Sequence, residues 1–368
     1  MDQKTRIDAT FYENEVPSFA TSEMERLYGN FFSSYRNLEL PDDELKQVCT
    51  YVARKDGEYD AIFLFLRRQG KINVLNEVIR IDSARIRAFA DHVFTRFRDV
   101  NVITFKAIET DIDRIVYPHQ RFNYSEDIAM KLPPTADEYL ARLGKNTRRN
   151  IKRYSDKLMR SFPSLRYEVY EREAVSESQV REIVGLNRER MASKNKVSAL
   201  NEEETRRIVK RARSCGLVGI MSINDKICAG AISYCTGENY FLDVLAHDLA
   251  YNDYWVGILC CYMTIRECIA RGGKEFHFLW GRYEYKFALG ASLRHLDCVA
   301  VYRSRLQFLL NGDFALKTAL NGYVRATKVW LHHSDSRISA RILKLLDDLR
   351  NLRYALTGWL TGGKNPSF

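Results

Sequence analysis

The residues that point most directly to chemistry fall in one stretch, Glu275 to Gly290, which reads EFHFLWGRYEYKFALG. It opens with strand alternation: Phe276, Phe278 and Trp280 on one face, Glu275, His277 and Leu279 on the other. Gly281 then breaks the strand, and Arg282, Tyr283, Tyr285 and Lys286 follow at its end. Open α/β sheets present polar side chains to a ligand at the carboxyl ends of strands in this way. A core strand followed by a surface turn would read the same. Upstream, a helix predicted over Tyr254–Arg271 begins Trp255, Val256, Gly257, Ile258, Leu259. A first helical turn beside two parting strands offers free N–H groups and the positive end of the helix dipole, which suits a pyrophosphate. Gly257 would let a phosphate approach the backbone closely, although a plain helix with one glycine near its start has the same sequence.

These residues sit in a chain of 368 amino acids, enough for two domains with a sizeable core. Hydrophobic residues make up 46% and charged residues 28%, the balance of a soluble globular protein. The formal charge of +10 favours anionic partners such as phosphate-rich cofactors, nucleic acid or an anionic membrane face. No helix-turn-helix, P-loop or metal signature supports a DNA or nucleotide-hydrolysing protein. The eight cysteines form no CxxC pair and lie at no zinc spacing, so they read as reduced thiols in a cytoplasmic protein without metal. The opening MDQKTRIDAT lacks the apolar core of a signal peptide, and the apolar run Tyr254–Ile265 is too short to span a bilayer.

Residues 1 to 45 read as peripheral, with a short helix in MERLYGNFFSSY. Strands are predicted over Val48–Arg54, Ala61–Arg67 and Ile72–Ile81, punctuated by Lys-Asp-Gly and Gln-Gly turns. A helix capped by Asp82 and a strand over Val100–Ile108 follow. The second half repeats that order. Strands Tyr124–Leu132 and Leu165–Tyr170 flank a basic helix that opens at the Thr135–Glu138 capping box and breaks near Gly144. Helices Ser176–Met191 and Glu202–Arg213 precede strands Val218–Asn224, Ile227–Cys235 and Tyr240–His247. The helix from Tyr254, the strand Glu275–Trp280 and a strand His295–Tyr302 close it. Beyond Ser304, ten Arg and Lys face four Asp, a surplus of six. There Ile338, Ile342, Leu345, Leu346, Leu349, Leu352, Leu356 and Leu360 recur at helical spacing among Arg and Lys. Such a basic amphipathic helix packs on its own domain or lies on an anionic membrane.

With the elements in this order, the second half resembles the GNAT superfamily of acyl-CoA-dependent N-acyltransferases. Its nearest likeness there is the two-lobed branch associated with bacterial exopolysaccharide and cell-envelope genes, a relative of the FemABX peptidyltransferases. The run Leu279-Trp280-Gly281-Arg282 through Tyr285-Lys286, after a helix ending in Arg271-Gly272-Gly273, carries the resemblance. Asp248 matches that branch's Asp after the fourth strand, and Trp255-Val256-Gly257 stands at its Ser-Pro-Gly helix start with only the glycine kept. His277-Phe278-Leu279-Trp280-Gly281 matches an Asp-Phe-x-x-Gly strand end with His for Asp, and Tyr285-Lys286 matches outright. The helix Lys145–Arg153 is similar to the basic helix that opens the branch's catalytic lobe. The likeness covers residues 125–303 by motif and the first lobe by architecture only.

The resemblance implies an α/β (α+β) fold of tandem GNAT-like lobes, with mixed, mostly antiparallel sheets flanked by helices. Residues 1–120 would form a non-catalytic lobe, 121–303 the catalytic lobe, and 304–368 a basic helical extension. It implies transfer of an acyl group, acetyl foremost, from acyl-CoA to an amine of a bacterial polysaccharide or cell-envelope precursor. Tyr285 would be the acid that protonates the departing thiolate, with Asp243 and His277 as bases; a packing tyrosine and a structural histidine are the plainer readings of two of these. Trp255, Val256, Gly257, Ile258 and Leu259 would hold the acyl-CoA pyrophosphate. Lys286 would hold a phosphate or an acidic substrate, or simply snorkel. Arg148, Arg149 and Arg282 would bind substrate, or lie on a solvated face. The protein would be cytoplasmic, touching the inner face of the membrane through its C-terminal helix. Two rivals stand beside this: a FemABX-type transferase using charged tRNA, and a degenerate, membrane-associated protein without catalysis.

Overall fold

The computed structural model describes residues 7–320 and 322, apart from 36, 37, 39, 40, 114 and 195–197. The first half runs β1 (Ile7–Tyr12), α1 (Ser18–Tyr28), α2 (Asp42–Leu45), β2 (Cys49–Lys55), β3 (Glu58–Arg68), β4 (Lys71–Val74), α3 (Ser83–Arg96) and β5 (Val102–Ile108). After β6 (His119–Lys131) come α4 (Ala136–Arg142), α5 (Lys145–Ser161), β7 (Arg166–Glu171), α6 (Glu177–Ala192) and α7 (Glu202–Cys215). The chain continues through β8 (Gly216–Ile223), β9 (Lys226–Thr236), β10 (Asn239–His247), α8 (Val256–Ala270), β11 (Glu275–His277), α9 (Glu284–Ala288), β12 (Ser292–Tyr302) and α10 (Arg305–Leu310).

All twelve strands join one sheet, in the order β1-β2-β3-β4-β5-β12-β6-β11-β10-β9-β8-β7. Two neighbouring pairs are parallel, β4 with β5 and β10 with β11, and each is bridged by a helix, α3 or α8. The repeated order in the sequence is thus a repeated strand–helix–strand crossover, and the rest of the sheet is antiparallel. β12 lies between the halves, pairing with β5 on one side and β6 on the other.

Local chemistry explains the boundaries the sequence signals well. Asp82 caps α3 by accepting from the Arg85 N–H, and Thr135 caps α4 by accepting from the Glu138 N–H. The basic helix breaks at Leu143 and Gly144 into α4 and α5. Apolar faces then pack the helices onto the sheet: α8 with α4 and α5 on one face of the second half, α6 and α7 on the other, and α3 on the first half.

Three expectations need correction. The peripheral N-terminus contains an edge strand, β1, and a helix that starts at Ser18, earlier than the MERLYG signal. The strand expected over Ile72–Ile81 stops at Val74; Asn76 turns inward to bond the Leu64 N–H, and Val78 takes a left-handed backbone, φ 56°. Likewise the strand expected over Glu275–Trp280 ends at His277, because Leu279 (φ 57°) and Gly281 (φ 93°) are both left-handed. Trp280 is therefore not a core residue and is 54% exposed. The helix expected over residues 338–360 lies outside the described residues, as does most of the 304–368 extension.

Candidate functional site

β10 and β11 pair only over Asn239–Phe241 and Glu275–His277. β10 then runs on to His247 without β11, bonded on its other side to β9 through a bulge between Leu242 and Val244. The two strands thus part, and the open edge of β10, the start of α8 and the segment after β11 surround the opening.

Trp255 enters α8 with a left-handed backbone, φ 60°, and its side chain caps nothing. The N–H groups of Val256, Gly257 and Ile258 have no acceptor among the described residues, as a helix start requires. Val256 and Leu259 are buried in the core beneath, while Trp255 and Ile258 are half-buried, so the backbone N–H groups are the polar atoms this turn offers a ligand. Gly257 has a further reason to be glycine: a Cβ there would lie 2.6 Å from His247 Nδ1. His247 in turn bonds Asn252 through Nε2 at 2.8 Å, and burial lowers its pKa, so it is neutral. A side chain at Gly257 therefore strikes an imidazole before it reaches any phosphate. Gly257→Ala should cost about 1–3 kcal/mol through this overlap, and Gly257→Ala/His247→Ala should recover most of it in urea denaturation.

At the end of β11, Lys286 is buried, 3% exposed. Its ammonium donates to the carbonyls of Phe278 (2.7 Å), Leu279 (3.4 Å) and Trp280 (2.7 Å), and burial brings its pKa down to about 8. All three ammonium donors are thus spent on the backbone where the strand gives way to the loop, which leaves no donor for a phosphate. Arg282 is similarly engaged, forming a bidentate pair with the buried Glu126. Tyr285 packs edge-on to Phe278, ring centres 6.2 Å apart, and its hydroxyl makes no hydrogen bond among the described residues. Burial raises its pKa, so the phenol keeps its proton. Tyr283 stacks on Tyr285 with ring centres 6.3 Å apart.

The two candidate bases belong to separate clusters. Asp243 stands exposed at the β10 bulge yet ringed by protein. That crowding raises its carboxyl pKa, opposed by the Tyr234 hydroxyl, which donates to it at 2.6 Å, and by Arg211. His277 is buried instead, stacked on Phe241 at 4.4 Å, with Nδ1 2.7 Å from Asp127 and Nε2 3.3 Å from Glu275. Burial alone would lower its pKa, but the two carboxylates outweigh burial and raise it. An imidazolium between two carboxylates is a structural cation and a poor base. Burial would also raise Glu275, but His277 and the bidentate Arg294 hold it at about 2. That stabilisation is present above the unfolded carboxyl pKa of about 4.3 and lost as pH falls toward 2. The stability gap between wild type and Glu275→Gln should therefore close between pH 5 and about 2 in denaturant titrations.

The basic helix α5 packs along the start of α8: Tyr154 meets Trp255 with ring centres 5.3 Å apart, and Lys157 donates to the Asp253 carbonyl at 3.1 Å. Arg148 is tied to the carbonyls of Ala141 (2.7 Å) and Leu143 (3.0 Å), holding the α4–α5 break. Arg149 is exposed and carries no ion pair among the described residues. Arg153 lies over the Tyr154 ring at 4.5 Å, the same ring that meets Trp255. Sequence reasoning missed His247, Tyr234 and Glu204; burial raises the Glu204 carboxyl, and Asp243 raises it further. Only the acidic start of helix α7 hinted at Glu204, and nothing in the sequence pairs Tyr234 with Asp243.

A family model described as an acetyltransferase (GNAT) domain matches residues 145–287. No curated protein matches the chain. Among solved structures, FemX superposes with a TM-score of 0.56 at 8% identity, covering 82% of this chain and 99% of its own. A conserved protein of unknown function from Bacteroides thetaiotaomicron gives a TM-score of 0.49 at 13% identity, over 80% of this chain and 100% of its own. L-PGS from Bacillus licheniformis gives 0.46 at 13% identity, over 85% and 98%.

Proposed function

We propose that the protein moves an acyl group, acetyl foremost, from acyl-CoA to the amine of a bacterial polysaccharide or cell-envelope precursor, because residues 145–287 match a GNAT acetyltransferase domain and the two-lobed GNAT-like fold is similar to that of FemX. The observation that carries this reading is the parting of β10 and β11 beyond Phe241 and His277, with the α8 first turn and Tyr285 around the opening. The Val256, Gly257 and Ile258 N–H groups hold the pyrophosphate, with Arg153 alongside, and Arg149 remains for the acceptor. Lys286 and Arg282 do not bind ligand; they shape the loop.

Asp243, its pKa raised, takes a proton from the acceptor ammonium, and His277 has no part in this step. The free amine attacks the thioester carbonyl, the C–S bond breaks, and the sulfur leaves as a thiolate. Tyr285 gives the thiolate its proton and regains one from solvent, to which the new amide nitrogen releases its extra proton and Asp243 the one it took. Acyl-CoA as donor places the reaction in the cytoplasm, at the inner membrane face for a lipid-linked precursor.

A thermal-shift screen with acetyl-CoA, longer acyl-CoAs, free CoA and aminoacyl-tRNA tests the donor. Acetyl-CoA at 100 times its Kd should stabilise the protein by about 2.7 kcal/mol. Stabilisation by charged tRNA and by no CoA species would replace this reading with the aminoacyl one.

A further inference from the structure

We propose that Trp280 is the specificity-determining residue of the acceptor site, a flat floor on which the ring of an amino sugar lies while its amine reaches Asp243. The inference rests on the proposed transfer to an amine and narrows the acceptor to a ring. Trp280 is 54% exposed just past the end of β11, and its position is imposed by its neighbours. Leu279 and Gly281, on either side of it, are both left-handed, a conformation that a bulky side chain such as leucine rarely takes. The Trp280 carbonyl is held at 2.7 Å by the buried Lys286 ammonium. Such strain persists only where surrounding contacts impose it, and it gathers at functional sites. Here its result is an indole left in solvent at the mouth of the opening between β10 and β11.

A short turn of the first half joins this indole to Asp243. Phe31–Ser33 is a 3₁₀ turn that Asn30 starts by accepting from the Phe32 N–H at 2.8 Å. Asn30 also donates to the Val78 carbonyl at 2.7 Å, and Ser33 to the Glu77 carbonyl at 2.9 Å, so the turn is pinned at both ends. Phe32 meets Trp280 with ring centres 5.8 Å apart and lies edge-on to Phe241 at 6.1 Å. Phe31 stacks at 4.7 Å on Tyr234, the tyrosine whose hydroxyl donates to Asp243. Trp280 and Asp243 therefore flank one aromatic turn, the indole beside Phe32 and the carboxylate beside the Phe31–Tyr234 pair. Arg211 lies over Phe31 at 5.7 Å and pairs with Glu204 at 3.4 Å, which adds hydrogen-bonding groups to the same wall.

The ligand follows from these surfaces. Against an indole face fits a group that is flat and apolar on one side. Asp243 calls for an amine, and Arg211 and Glu204 suit hydroxyls. An amino sugar joins all of these, since its ring has a C–H face, a hydroxyl-bearing edge and the nitrogen. A chain amine, such as a lysine side chain or an ethanolamine headgroup, has no ring to lay on the indole.

Saturation-transfer NMR on the full-length protein, with methyl glucosaminide and ethanolamine as probes and no acyl donor, tests the proposal. Wild type should bind the glucosaminide, with saturation strongest on the protons of one ring face. Trp280→Ala should weaken that binding roughly tenfold or more, the usual effect of losing an aromatic anchor. Its thermal midpoint should be unchanged, since the side chain is largely exposed. Trp280→Phe should recover most of the binding, because it restores a flat ring. Ethanolamine should bind more weakly than the sugar, and equally to all three proteins. The proposal is overturned if wild type does not bind the glucosaminide, or if ethanolamine binds as tightly. It is equally overturned if Trp280→Ala binds the sugar within about twofold of wild type. Because no donor is present, the result is separable from the acyl-CoA reading: a protein stabilised by acetyl-CoA that binds no glucosaminide keeps its donor and loses this acceptor.

Discussion

Tyr285→Phe should lower kcat by about 10²–10⁴-fold, the usual worth of general acid catalysis, while acyl-CoA binding stays unchanged. The substitution removes one oxygen and keeps the ring that packs on Phe278. The hydroxyl has no partner within the described residues, so its loss orphans nothing and stability should hold. The raised pKa suits the role: a phenol that stays protonated at neutral pH has a proton for a thiolate that cannot leave without one. Tyr283→Phe is the control, since it keeps the stacked ring and removes a hydroxyl next to the site. Single-turnover kinetics with saturating acyl-CoA would decide. A rate in Tyr285→Phe within a few-fold of wild type removes Tyr285 from the chemistry and leaves solvent as the proton source.

Lys286→Met should destabilise the fold by about 2–4 kcal/mol, because each orphaned buried acceptor costs about 1–3 kcal/mol. The Leu279 carbonyl would still accept from the Ile128 N–H, but those of Phe278 and Trp280 have no other donor among the described residues. Turnover should fall as well, since Tyr285 is the neighbouring residue on a helix of five residues anchored by this contact. The pH dependence separates this role from a phosphate contact. The folded pKa of about 8 lies below the unfolded value near 10.4, so between them the unfolded chain binds more protons. Stability attributable to Lys286 therefore rises with pH across that window, and the gap between wild type and Lys286→Met should widen from pH 8 to about 10 in urea titrations. A gap that narrows there, or a variant as stable as wild type with weakened acyl-CoA binding, would return Lys286 to the ligand.

The sequence by itself determined what depends on neighbours in the chain. Periodicity, caps and turn residues placed most strands and helices, and the repeated order announced two similar crossovers. Asp82, Thr135 and the break at Gly144 were legible because a cap and the N–H it satisfies lie within three residues of each other. The Tyr285-Lys286 pair was legible as a position, at the end of a strand beside a helix start.

Only the tertiary structure decided what the polar residues at that position do. Lys286 and Arg282 look like ligand contacts as sequence; folded, one satisfies three carbonyls and the other a buried carboxylate. His277 reads as a base, but Asp127, 150 residues earlier, makes it a buried cation. Gly257 reads as space for a phosphate, yet His247 already overhangs it. The partners of His277 and Arg282 lie 150 and 156 residues away on β6, and those of Lys286 and Gly257, though near in the chain, meet them only across turns whose path the fold sets. A buried charge is defined by what surrounds it, and burial exists only once the sheet has formed.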